Sequence, residues 1–143
     1  MFVRGAMRGT KKKRVDSGAA LVEFAVVLPL LILLLVGIVE FGLLFYNKQV
    51  LTNASREGAR AGIARVAGIE GIVVDYCQDR LIRFDTDVNP DITVTGAMGA
   101  FGEDLTVDVS YDYAFLVPGL FSVGPTLQLT ARTVMRMESV ASP

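Results

Sequence analysis

Two carboxylates, Glu23 and Glu40, interrupt the most apolar stretch of this 143-residue chain, and Gly18 lies five residues before the first of them. A charge inside hydrocarbon costs a few kcal/mol on insertion scales. Among packed helices a carboxylate is tolerable only beside a partner that compensates it. Glu23 and Glu40 therefore read either as charge-pairing groups or as residues that reach into lipid headgroups at a membrane boundary. Glu40 has a second specific reading, an inter-subunit contact with Lys48 or Arg56 of a neighbour. Other chemistries are poorly supplied. The chain has no His and one Cys, Cys77, which excludes His-based acid–base catalysis, a Cys/His zinc site and an internal disulfide. No nucleophile–base pair and no phosphate-cradling glycine loop is readable, so the chain is not expected to be an enzyme. Asp85, Asp87 and Asp91, with Asn89 between them, lack the Gly and terminal Glu of a twelve-residue calcium loop. They read as a solvated acidic turn, and no metal or cofactor is implied. Cys77 reads as a small buried hydrophobe.

The elements that hold these residues begin with a membrane segment. The hydrophobic fraction is 52%. Phe24–Val39 contains no charge, and Phe41–Tyr46 continues the run beyond Glu40. A spanning helix needs ~20 residues, so the expected transmembrane segment is 24–46, with Tyr46 and Lys48 at its interfacial end. Residues 1–18 hold six basic residues and one acid, a charge of +5, which leaves −6 on residues 19–143 because the whole chain is −1. The cluster Lys11–Arg14 reads as a topology signal that keeps the N-terminus in the cytoplasm and contacts anionic lipid. The acidic remainder would repel phosphate, which argues against nucleic-acid binding. A conventional cleaved signal is disfavoured because the apolar run exceeds the usual h-region and no small-residue cleavage site follows it.

Asp16 or Ser17 is placed to cap the start of a helix, and Pro29 inside the run is of a kind that membrane helices tolerate. Beyond the membrane, the helical pattern continues to Ala67. Leu51, Ala54, Ser55, Gly58 and Gly62 form one stripe of mostly small residues, suited to close packing and best read as the face that meets the chain's own sheet. Arg56, Glu57, Arg60 and Arg65 occupy other faces, with Glu57 and Arg60 spaced to pair. Gly68 and Gly71 punctuate the chain. The period of Val73, Tyr76, Cys77, Leu81 and Phe84 predicts a second helix over 72–84, and Asn89-Pro90-Asp91 predicts a turn. Ile92–Thr95, Leu105–Phe115 and Leu127–Met137 read as strands, the last two by strict alternation. Their pairing places Asp108 and Asp112 near Arg132 and Arg136. The connection 116–126 is too apolar for solvent in Leu116, Val117, Leu120, Phe121 and Val123, and is expected to pack or to touch a neighbour. The expected fold class is α+β: a long N-terminal helix, membrane-spanning in its first half, a short second helix and a small antiparallel sheet of about three strands. The domains are a basic cytoplasmic leader 1–18, a long helix 19–67 and an extracytoplasmic α+β domain 68–143.

Gly18, then Ala19-Ala20-Leu21-Val22, then Glu23-Phe24 and an apolar run resembles the class III signal of type IV pilin-like proteins. With Pro29, Gly37-Ile38-Val39-Glu40-Phe41-Gly42, Ala54-Ser55-Arg56-Glu57-Gly58-Ala59-Arg60 and the ending Leu129–Glu138, the chain resembles the TadE-like family. These are pseudopilins, or minor pilins, of the tight-adherence (Tad/Flp) pilus system. The resemblance is strongest over about 17–65. It implies a cut between Gly18 and Ala19 by a prepilin peptidase on the cytoplasmic face, with Gly18, Ala19, Glu23 and Phe24 as the processing site. It also implies that Glu23 neutralises the new α-amino group of Ala19 on a neighbouring subunit. Glu23, Glu40, Arg56, Glu57 and Arg60 are the expected assembly contacts. The implied partners are the peptidase, other pilin-like subunits, the Tad secretion and assembly machinery and the inner membrane. The implied location is the bacterial inner membrane, single-pass, with possible incorporation in an extracellular pilus. The competing expectation is a single-pass, signal-anchored envelope protein that never polymerises. In one respect the chain departs from the pattern: some relatives carry an extracellular disulfide pair, and this outer domain must be braced without one.

Overall fold

A computed structural model describes residues 13–84, 89–119, 124 and 126–138. The leader up to residue 12, Asp85, Asp87, Leu120, Phe121 and Val123 lie outside the described residues. The element order is α1 (Lys13–Ile63), α2 (Ile69–Gln78), β1 (Asp91–Thr95), β2 (Asp104–Ala114) and β3 (Thr126–Arg136). The long helix, short helix and three-stranded antiparallel sheet match the expected α+β class. Two compact units divide the chain, residues 1–39 and 40–143. The second unit therefore begins inside α1.

In the first unit, α1 contains Pro29 and almost every side chain from Gly18 to Val39 is exposed. Its 18-residue window of mean hydropathy 2.9 has none of its residues buried in the chain. Apolar residues all around a helix need an apolar surround. Length, hydropathy and exposure together fit a membrane anchor. The helix starts at Lys13, upstream of the expected Asp16 or Ser17 start.

In the second unit, the rest of α1 covers one face of a sheet of order β1-β2-β3. The buried residues of α1 are Glu40, Asn47, Val50, Leu51, Ala54, Ser55, Gly58, Ala59 and Gly62. At 100° per residue, Glu40, Asn47, Leu51, Ala54, Gly58 and Gly62 all fall on one narrow stripe. Facing them are Leu105, Val107, Val109, Tyr111 and Tyr113 of β2 and Leu129 and Ala131 of β3. Gly58 and Gly62 set how closely the layers approach. A β-carbon at Gly58 would lie 2.5 Å from Val73 Cγ2, and one at Gly62 would overlap a Leu105 methyl. The small-residue stripe thus serves the chain's own core.

Helix ends differ from the sequence expectation for identifiable reasons. The long helix stops at Ile63, not Ala67. Val66 N–H donates to Ala61 O at 3.0 Å and Arg65 N–H to Gly62 O at 3.0 Å. This is a Schellman turn, and Arg65, with φ 56°, holds its left-handed position where glycine is usual. Arg65→Gly is expected to raise stability by about 0.5–1 kcal/mol in urea unfolding; a loss would mean that the Arg65 contact to Gly99 O outweighs the backbone strain. The second helix spans Ile69–Gln78 instead of 72–84, with Gly71 inside it and Gly68, at φ 77°, before it. Its buried side is Ile69, Val73 and Cys77. It ends early because Asn47 takes both backbone groups of Ile82. Asn47 Nδ2 donates to Ile82 O at 2.7 Å, and Ile82 N–H donates to Asn47 Oδ1 at 2.9 Å.

The register corrects one cross-strand pairing. Asp108 faces Arg132 as expected, at 2.5 Å, but Asp104 faces Arg136 at 3.6 Å, and Asp112 faces Gln128. In an antiparallel pair, four residues forward on one strand meets four residues back on the other. The Asp108 carboxylate holds the Arg132 guanidinium above its usual range, chiefly through the hydrogen bond between them. Arg132 is well exposed, so the pair is expected to matter little for stability.

Candidate functional site

The residues singled out in the sequence fall into two places. Gly18, Ala19, Glu23 and Phe24 are on α1 in the first unit, and all four are exposed. Nothing lies within 4 Å of where a Gly18 β-carbon would be. Among the described residues, Glu23 has no hydrogen-bond or ion-pair partner, so its carboxylate is available to a group outside this chain. The backbone at Gly18 is helical. Glycine weakens a helix interior by about 1 kcal/mol relative to alanine.

Glu40, read from the sequence as a membrane-boundary residue or an inter-subunit contact, lies inside its own unit. It is 1% exposed and its carboxylate is engaged within its own unit. Tyr113 Oη donates to Oε1 at 2.8 Å, and Leu116 N–H donates to both carboxylate oxygens at 3.1 Å. Tyr113 is itself held edge-on by Phe84, with ring centroids 6.4 Å apart, and by Phe115 at 5.8 Å. Burial pushes the Tyr113 phenol well above its ordinary range, and the hydrogen bond to Glu40 adds to this. The phenol thus keeps its proton and remains a donor to the carboxylate. What the membrane-boundary anomaly achieves locally is a brace from α1 to the end of β2.

Asn47 and Ser55 act in the same way farther along the stripe. Asn47 ties α1 to the segment after α2, as above. Ser55 Oγ meets Thr133 Oγ1 of β3 at 2.7 Å. Lys48, proposed as a partner for a neighbour's Glu40, donates its ammonium to Thr130 O on β3. These contacts supply bracing that a disulfide would otherwise provide. Sequence reasoning missed Asn47, Ser55 as a polar contact, Tyr113 and the Leu116 N–H. One signal was present: Glu40 and Asn47 extend the small-residue stripe backward by whole turns, so both polar side chains point toward the core.

Arg56, Glu57 and Arg60 are exposed. Arg56 and Arg60 lie on the side of α1 opposite the buried stripe, where a partner can reach them. Glu57 and Arg60 form no ion pair within 4 Å among the described residues. Asp91 begins β1.

Cys77 is fully buried. Burial raises its thiol from an ordinary 9.0 to about 11, against the opposing charges of Arg83 and Arg80. The sign follows directly. Between pH 9.0 and about 11 the unfolded thiol gives up its proton and the folded one keeps it, so stability falls as pH rises through that window. The expected loss is up to about 2 kcal/mol in urea unfolding at pH 8 and pH 10.5. Cys77→Ala should remove much of that pH dependence; an unchanged dependence would assign it to other groups.

No curated protein and no solved structure matches the chain. The family model for TadE-like protein matches residues 18–60. The match starts at Gly18 and takes in Glu23, Glu40, Asn47 and most of the buried stripe. Over residues 18–60, this chain is a match to the TadE-like protein family.

Proposed function

We propose that this protein is a pilin-like subunit of a Tad/Flp pilus system, made as a membrane precursor and cut between Gly18 and Ala19 by a prepilin peptidase. The observation that carries this reading is the TadE-like match over 18–60, which begins at the residue before the proposed cut. The exposed Gly18–Phe24 segment supports it, since a processing enzyme needs access to that stretch. The N-terminus faces the cytoplasm and the acidic outer unit lies outside. After the cut, unpartnered Glu23 meets the α-amino group of Ala19 on a neighbouring subunit. Extraction from the bilayer is offset by packing exposed apolar helices against one another. Arg56, Glu57 and Arg60 are the charged residues of α1 left for contacts with other subunits or the assembly machinery. The protein is a substrate of an enzyme and not itself one.

Intact mass of the protein from cells with an active prepilin peptidase tests this. Loss of residues 1–18 is the expected result, and Gly18→Asp is expected to abolish it. A second reading, a signal-anchored envelope protein that never polymerises, draws on the internal satisfaction of Glu40, which leaves that carboxylate no need of a neighbour. Retention of Met1–Gly18 in those cells would favour it.

A further inference from the structure

We infer that the surface around Leu116 is a membrane-docking face, seated in the headgroup layer of the bilayer that holds α1. The inference rests on reading residues 18–39 as a membrane anchor. As helix, residues 18–39 rise about 33 Å, enough for a hydrocarbon core of about 30 Å. Residue 40 then emerges at the outer boundary, and a headgroup layer roughly 5–7 Å deep takes the next turn of helix. Glu40 is the first residue of the outer unit, and it holds the Leu116 N–H at 3.1 Å. A residue 76 positions away in the chain is thereby fixed at the depth of the bilayer surface.

The side chains at that level suit lipid. Leu116 is 45% exposed and Phe45 67% exposed, and Val117, Phe41 and Tyr46 are exposed as well. No charged residue occurs from Phe41 to Asn47 or from Tyr113 to Gly119. Aromatic rings favour the headgroup level, and apolar side chains left in water there would be an unexplained cost. The opposite end of the sheet contrasts with this. There Leu105 meets Gly62, many helical turns beyond Glu40, and the surface carries Glu103, Asp104 and Arg136. Glu40 acts as a positioning residue. Because Tyr113 and Leu116 satisfy its carboxylate, it sits at the boundary without a cation and directs the end of β2 onto the membrane.

The chain contains no Trp, so single Trp substitutions report depth. The full chain is reconstituted in phosphatidylcholine–phosphatidylglycerol vesicles with and without bromine-bearing phosphatidylcholine, a contact quencher. Leu30→Trp reports the anchor, Leu116→Trp and Val117→Trp the docking face, and Phe101→Trp the distal turn, where the side chain is 73% exposed. The expected result is loss of most emission at Leu30 and at Leu116 or Val117, with a blue shift at the latter and neither effect at Phe101. Quenching at Leu30 with solvent-like, unquenched emission at both Leu116 and Val117 overturns the docking face and leaves the anchor standing. No quenching at Leu30 overturns the anchor, and the docking face with it. Blue-shifted but unquenched emission at Leu116 and Val117 means that another protein chain covers the face, and overturns the inference.

Discussion

Replacing Glu40 with leucine is expected to destabilise the second unit by about 3 kcal/mol, within the range for removing one partner of a buried charged contact. The leucine fits a buried apolar stripe, so shape is not the main cost. The cost comes from the groups left behind. Tyr113 Oη and Leu116 N–H both donate to the Glu40 carboxylate. A buried donor left unsatisfied costs about 1–3 kcal/mol, which applies in full to the buried Tyr113 hydroxyl and less to the part-buried Leu116 N–H. For a unit of this size, the loss corresponds to a fall in Tm of roughly 12–20 °C, measured by circular dichroism of the full chain in detergent. Tyr113→Phe should cost less, about 1–2 kcal/mol, because Leu116 N–H keeps its acceptor. The double variant should be less damaged than the sum of the two, with a coupling of about 1–2 kcal/mol. If Glu40→Leu left Tm unchanged and abolished only pilus assembly, Glu40 would act between subunits, and the internal brace would be immaterial.

Gly62→Val should cost about 3 kcal/mol, at the upper end for overpacking a closed core. A bare β-carbon there already overlaps the side chain of Leu105 and reaches 3.0 Å from Ile69 Cδ1. Leu105 is fully buried between the layers, so it cannot swing into solvent. Valine adds two methyls to that clash, and the helix must lift from the sheet. The comparison is Gly71→Ala, in α2, where nothing lies within 4 Å of the new methyl. That change should stabilise by about 0.5–1 kcal/mol, the ordinary helix preference for alanine over glycine. Urea midpoints of the two variants should therefore move in opposite directions. Equal and small shifts would mean that the α1–sheet contact is looser than the structure has it.

Local rules were enough for much of this molecule. The alternation of Leu105–Phe115 and Leu127–Met137 identified β2 and β3 within one residue at each end, because one face of each strand is buried and period-2 patterning follows. The boundaries that failed did so where a distant group replaced the usual local signal. The end of α1 carries Arg65 where the left-handed cap usually has glycine, so nothing in the local sequence marked it. The end of α2 is set by Asn47, 35 residues away, whose carboxamide takes the Ile82 backbone groups that another helical turn would have used. The Asp112–Arg136 pairing failed for a geometric reason: with Asp108 opposite Arg132, antiparallel strands run apart, so Arg136 meets Asp104 and Asp112 meets Gln128.

The candidate site divides along the same line. Gly18, Glu23 and the apolar run are a linear pattern, legible because their meaning depends on spacing along one helix. The sequence alone also established the absence of His chemistry, the opposed charges of the two ends and the resemblance to TadE-like proteins over the first helix. Only the tertiary structure assigned Glu40. Read in line, it was a costly charge inside hydrophobic sequence, with a lipid headgroup or another subunit as its remedy. Folding brings Tyr113 and Leu116, more than 70 residues away, to within hydrogen-bonding distance. A buried carboxylate is decided by what surrounds it in space, and sequence spacing carries no information about donors supplied by another element.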